Sequence, residues 1–373
     1  MNKTIFSCES ESCTCAIGNE HLEEYGTKPE IHLKEKGIYN YSYKHGIGLV
    51  QQESGNKDIL EAILAIDNNN TNKIIDFLNK YGFPLMPLFA YPYPVSCDFD
   101  IVIEMLKIVK NLALLVNELK KKKFLYANQE NKANLDLIFE YTSFLIFHAP
   151  VEFCLSKGLQ EYRSPVSDFF NSLYGGFRDN NDNKKIHYKY CFYDRDPSTS
   201  EPIAAILLKE EYLTGAWGDD NYLSTAFSFY KKINQYLTIT DVHENGTLVF
   251  GEKFSNTFEN NKEMIDTLLS LAQITVKDVF ENALANTHPT FSYETLSIDW
   301  VVPDLLSGIY LALLFKPENE IFKKCENPRC KRVGFFSSNI ASNKKNFCCT
   351  RCQNNAAQAE YIRRRKEKDN LQS

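Results

Sequence analysis

Four cysteines near the C-terminus constrain this chain more than any other feature: Cys325-x4-Cys330 and Cys348-x3-Cys352, with 17 residues between the pairs. Zinc takes four tetrahedral thiolate or imidazole ligands, and two close pairs let a short loop and a helix start each supply half of a site. A segment this small cannot fold on its own apolar burial, so the metal would supply its folding free energy. Four protein ligands leave no open position for water, and the spacing therefore predicts one structural Zn2+ ion held by Cys325, Cys330, Cys348 and Cys352. Cys349 can take the place of Cys348, but both sulfurs cannot share one tetrahedral corner. The chain has 11 cysteines, an odd number clustered toward its two ends, unlike a disulfide framework spread through a secreted domain. Cys8, Cys13, Cys15 and His21 form a looser group, whose spacing reads as incidental rather than as a second metal site.

Past Cys352, the residues Gln353 to Lys366 are strong helix formers without a breaker, so a helix should run on from the last ligand. Between Lys323 and Lys368 there are 13 basic residues against three acidic ones, a net charge of +10, which leaves −16 on the rest of the chain. Such an asymmetry is expected of a basic contact module attached to an acidic body. Cations near the helix end suit phosphate contacts, driven by counterion release, and these give affinity without specifying sequence. The candidate nucleic-acid-binding residues are Lys344, Lys345, Arg351, Gln353, Asn354, Arg363, Arg364, Arg365 and Lys366. A basic tail docked on the acidic body of the same molecule is the plainer alternative.

At these residues the sequence resembles a known family. Cys325-Glu326-Asn327-Pro328-Arg329-Cys330, then Phe335-Phe336, Asn346-Phe347-Cys348 and Cys352-Gln353-Asn354-Asn355 with its Arg-rich helix, look like the CGNR-type zinc finger of bacterial proteins. That finger commonly follows a helical-plus-sheet domain called ABATE, described as belonging to stress-related transcription regulators. The stretch Ile59 to Leu85, with Phe77 and Tyr81-Gly82 before Pro84, is similar to the N-terminal helical portion of such proteins. The naming tetrapeptide Cys-Gly-Asn-Arg is here Cys352-Gln353-Asn354-Asn355, and the second cysteine pair is one residue tighter. The resemblance implies a DNA-binding transcriptional regulator.

Elsewhere, apolar residues recur at three and four positions over Asp58 to Ile66, Thr71 to Tyr81, Asp98 to Lys122 and Ala133 to Phe147. Helical periodicity returns over Ser224 to Leu237 and Lys262 to Leu284, and Pro303 can open a further helix through Leu314. Ile186 to Tyr193, Ile203 to Leu208 and Thr247 to Phe250 alternate like strands, and Asp179 to Asn183 reads as a loop. The fold class expected is α+β. A tail would span 1–30 and a mostly helical body with a small central antiparallel sheet 31–318, with the zinc-binding domain and its basic helix over 319–373.

No phosphate loop, dinucleotide fingerprint, His-Glu-x-x-His helix or Gly-x-Ser-x-Gly elbow is present. His148, at the end of an apolar helix, and His243, beside Asp241, read as structural. Asp219, Asp220 and Asp299 could bind magnesium only if the chain were an unrecognised hydrolase. Tyr188 to Tyr193 could stack single-stranded nucleic acid, but a core strand is the better reading of their alternation, because half of an alternating strand normally faces inward. Without an apolar run of about 18 residues or a secretory signal, a cytoplasmic protein with no membrane partner is expected. The expected function is thus nucleic-acid binding, with double-stranded DNA as partner and a body that senses a small molecule or protein. The alternatives are an interaction or defence-related protein whose finger holds RNA or protein, and a hydrolase.

Overall fold

The computed structural model describes residues 4–18, 30–52, 58–67, 70–84, 95–121, 133–148, 151–155, 158–162, 200, 221–243, 247–293, 296–327, 330, 335–339 and 346–372. The chain is α+β, as expected. It divides into two compact units. The first contains Met1–Phe99, Ala127–Asn131 and Ala283–Ser373, and the second contains Asp100–Tyr126 and Lys132–Asn282. The second unit is therefore inserted in the sequence of the first.

In the first unit, β1 (Thr4–Gly18) pairs antiparallel with β2 (Glu30–Lys44). The strand β2 also pairs with β3 (Gly48–Gln51) and β4 (Val95–Asp98). Within the segment 1–30 expected to be a tail, Thr4–Gly18 is thus a sheet strand. Its inward positions are Phe6, Cys8 and Ser10, all buried, while Ser7 and Glu9 face out. Only one of those three inward residues is large and apolar, so the alternation is faint in the sequence although the pairing is long.

Helices α1 (Ile59–Ala65) and α2 (Thr71–Tyr81) follow, each opened by a side-chain cap. Asp58 accepts from Leu60 N at 3.1 Å and Asn70 from Lys73 N at 3.2 Å. The Tyr41 hydroxyl donates to the Tyr81 carbonyl, and Ser10 Oγ to the Phe83 carbonyl at 2.8 Å, which ties the sheet to the end of α2. Gly48, at φ +106°, lies so close to Asp58 that a Cβ there would stand 2.3 Å from the carboxylate.

The second unit holds α3 (Phe99–Lys120), α4 (Leu135–Phe147), the ribbon β5 (Val151–Leu155) and β6 (Gly158–Tyr162), and α5 (Asn221–Asn234). It continues through β7 (Ile239–Val242) and β8 (Leu248–Phe250) to α6 (Phe254–Phe258) and α7 (Lys262–Ala283). Its core is aromatic: Phe139 meets Phe250 at 4.8 Å and Phe254 at 5.2 Å, and Phe147 meets Tyr230 edge-on at 4.7 Å between ring centroids. His148 caps the C-terminal end of α4 and lies 3.0 Å from Glu104 Oε2, a structural role. His243 N donates to the Thr247 carbonyl and closes the β7–β8 turn. The strand expected at Thr247 to Phe250 is β8, whereas Ile186 to Tyr193, Ile203 to Leu208 and Asp179 to Asn183 lie outside the described residues. The four-stranded sheet of the first unit is built from the chain's first hundred residues.

The chain returns to the first unit through the ribbon β9 (His288–Ser292) and β10 (Ser297–Val301), and then α8 (Leu305–Phe315). Asp304, rather than Pro303, sets the start of α8 by accepting from Ser307 N at 2.6 Å. Nearly all of α8 is buried, as an all-round apolar helix requires. Gly308 allows the close approach to β1, because a Cβ there would stand 2.5 Å from Cys8 Sγ. Cys8 is thereby a core residue. Among the described residues no helix is long and apolar enough to cross a membrane.

Candidate metal centre

The C-terminal segment opens with β11 (Glu320–Lys324) and β12 (Phe335–Asn339), an antiparallel hairpin closed at Lys324 and Phe335. Ile321, Phe322 and Phe336 turn inward and anchor it. Ser337 N donates to Glu61 Oε1 of α1 at 2.9 Å. Lys316, at the end of α8, reaches Ser337 Oγ at 2.8 Å and lies 4.1 Å over the Phe322 ring. The base of the segment is therefore fixed to the sheet unit, while its tip is free to carry a site.

Cys325 directly follows β11, and Cys330 N donates to the Asn327 carbonyl at 2.9 Å, so the first pair brackets a tight turn. Glu326 N donates to the Asn346 carbonyl at 3.0 Å and brings the second pair alongside. The helix α9 (Thr350–Gln372) then begins, with Cys352 in its first turn.

The ligand atoms of Cys325, Cys330, Cys348 and Cys352 all lie within 4.8 Å of one another, and among the described residues this is the one such group of potential ligands. Cys330 and Cys348 Sγ are 3.7 Å apart, Cys348 and Cys352 3.5 Å, and Cys352 and Cys330 3.6 Å. A tetrahedral ion with Zn–S bonds of about 2.3 Å would set its sulfurs about 3.8 Å apart. A disulfide would need about 2.05 Å. The four sulfurs thus sit as the corners of a metal-sized tetrahedron and not as bonded pairs. Cys349 stands outside it. Its sulfur is 3.9 Å from Cys348 Sγ, and its carbonyl accepts from Gln353 N at 3.1 Å as the helix begins.

The electrostatics agree with a cation-binding cluster. Burial opposes ionisation of Cys325, but the backbone N–H groups of Cys348 and Asn327 outweigh it and hold the thiol below its usual range. Burial pushes Cys348 far up, reinforced by the sulfurs of Cys352, Cys330 and Cys325. The side chain of Asn327 and the Cys348 sulfur favour the Cys352 thiolate, while burial and the sulfurs of Cys330 and Cys349 outweigh them and leave that thiol raised. Four thiols this close cannot all ionise unless a positive ion sits among them. The site can hold one divalent metal ion, with zinc matching the donor set and the spacing.

The residues expected to touch nucleic acid divide into three groups. Arg351, Gln353 and Asn354 are exposed on the first turns of α9, and Arg363, Arg364 and Arg365 are exposed further along. Lys366 lies on the same helix, with its side chain outside the described residues, and Lys344 and Lys345 lie outside them altogether. The sequence reading missed two participants. Asn327 is buried against Cys352. Glu360 Oε1 accepts from Arg363 Nη2 and from Arg364 Nε, each at 2.9 Å. Its place three and four residues before those arginines was the available signal. Asp299, the described member of the magnesium candidates, is exposed and accepts from Trp300 N at 2.8 Å.

In comparisons with known proteins, no family model, no curated protein and no solved structure matches this chain.

Proposed function

We propose that this protein binds duplex DNA through a CGNR-type zinc finger with four cysteine ligands and acts as a transcriptional regulator. The observation that carries this reading is the form of α9. It is rooted by Cys352, the last member of the four-sulfur cluster, and from Gln353 to Arg365 its side chains are exposed or half-exposed, with none buried. At a rise of about 1.5 Å per residue it is roughly 34 Å long. The B-DNA major groove, about 12 Å wide, admits an α-helix, whereas the deep, narrow major groove of A-form RNA does not. Arg351 and the Arg363 to Arg365 run supply phosphate contacts, and the amides of Gln353 and Asn354 have the donor and acceptor pattern that pairs with adenine edges. Zinc holds the hairpin and the helix start together and takes no part in chemistry.

The test is a titration of duplex DNA, single-stranded DNA and RNA at several salt concentrations. Duplex DNA should bind best, with a linear fall of log affinity against log salt. Replacing Arg364 and Arg365 together with Ala should weaken binding on all sequences and flatten that slope by up to about two units, with zinc content and folding unchanged. A tail docked on its own acidic body predicts lowered stability of the double variant and binding at background level. Absence of salt-dependent binding to all three nucleic acids would end the proposal.

A further inference from the structure

A cleft of about 370 Å³ opens in the first unit between β1 and the segment that joins β10 to α8. Its volume is in the range of small-molecule sites. The apolar part of its lining includes Phe83, Trp300 and, at the rim, the exposed Ile38 and Val301. The two charged groups that line it are both acidic: Glu9, which projects from the outer face of β1, and Asp304, buried at the start of α8. Asp304 accepts from Ser307 N through Oδ1 and is one of the residues that line the cleft. The other polar side chains in the lining are uncharged, and among the described residues no cation lines it.

The Cys8 thiol reports the resulting field. Burial first, and then Asp304 and Glu9, push it up to about 12. The Trp300 ring is held edge-on by Phe315, at 5.5 Å between centroids and 81° between planes, so the indole is set in place as part of the wall. A negative, partly apolar cleft with an oriented indole is what an organic cation needs, because tryptophan is the best cation–π partner and a carboxylate supplies the counter-charge.

We infer that this cleft binds a small organic cation, an amine or guanidinium on an apolar body. The charged end would lie toward Glu9 and Asp304, and the body against Trp300 and Phe83. The site is separate from the cysteine cluster and from α9, and the inference stands whether or not the chain binds DNA.

The chain has two tryptophans, Trp217 and Trp300, so the Trp217→Phe full-length protein reports on the cleft by its single indole emission. Three probes of one shape separate charge from burial: phenethylamine, phenethyl alcohol and 3-phenylpropionate. Phenethylamine should change the emission saturably, with the neutral and anionic probes at least about ten-fold weaker. Glu9→Gln, a surface change that leaves the fold intact, should weaken the amine by about five-fold and leave the alcohol unchanged. Calorimetry on the unmodified protein provides the second measurement. Three outcomes would overturn the inference: equal affinities for the three probes, amine binding indifferent to Glu9→Gln, or no saturable signal up to about 10 mM amine, beyond the weak millimolar limit.

Discussion

Asp58 shows how one side chain couples capping, burial and charge. It is buried, caps α1 and lies within the field of Lys316 and Glu61. Burial dominates and raises its carboxyl to about 7, even though Lys316 and the Leu60 and Leu49 N–H groups pull the other way. A carboxyl raised on folding binds its proton more tightly in the native state, so it makes the protein less stable as pH rises from about 4 to about 7. The change is on the order of 1 kcal/mol per pH unit while the proton is held in one state only. Asn at this position keeps the acceptor for Leu60 N without the charge. Urea unfolding at pH 5 and pH 7.5 should therefore show Asp58→Asn gaining on the parent protein at the higher pH, and a difference that does not change with pH would refute the assignment. The cysteines allow an equally local test. Elemental analysis of protein purified without chelator should find about one zinc per chain. Cys330→Ser should abolish it, whereas Cys349→Ser should leave it in place, because Cys349 stands outside the tetrahedron. Zinc retained in Cys330→Ser would refute the ligand set.

At the scale of elements, the contact between α8 and β1 is one of two close approaches of the first unit that only glycine permits, the other being that of Gly48 to Asp58. A methyl group on Gly308 would meet Cys8 Sγ at 2.5 Å, inside any tolerable contact, so the Cys8 side chain, the helix or the strand must move. Gly308→Ala should cost about 1–3 kcal/mol in chemical denaturation, and adding Cys8→Ala should restore part of it, since the clash has one named partner. Independent, additive losses would show that the two elements are not in this register. How far elements could be read from the sequence depended on how much of their apolar face is large. Helices α1, α2 and α4 were legible because apolar spacing and the caps Asp58, Asn70 and Asn134 agree. Strand β1 was not, because two of its inward residues, Cys8 and Ser10, are small and find their partners in Gly308 and the Phe83 carbonyl, far along the chain. The cysteine cluster was legible because its ligands lie within 28 residues and metal spacing is local. The cleft was invisible for the opposite reason: Glu9, Ile38, Phe83 and Trp300 come from four distant stretches that only the fold brings together.

For the whole molecule, the basic helix belongs to the same compact unit as the acidic cleft. That unit is also assembled from the two ends of the chain, and this bears on how the protein is made. Cys8 is synthesised about 300 residues ahead of Gly308, against which it packs. At about 5–20 residues per second, the first hairpin waits roughly 15–60 s for the helix that covers it. Over that interval the inserted unit has time to fold, whereas β1 and β2 present an uncovered sheet face to whatever surrounds the ribosome. Slowing translation upstream of α8 should therefore increase the chain's aggregation more than the same pause placed after it.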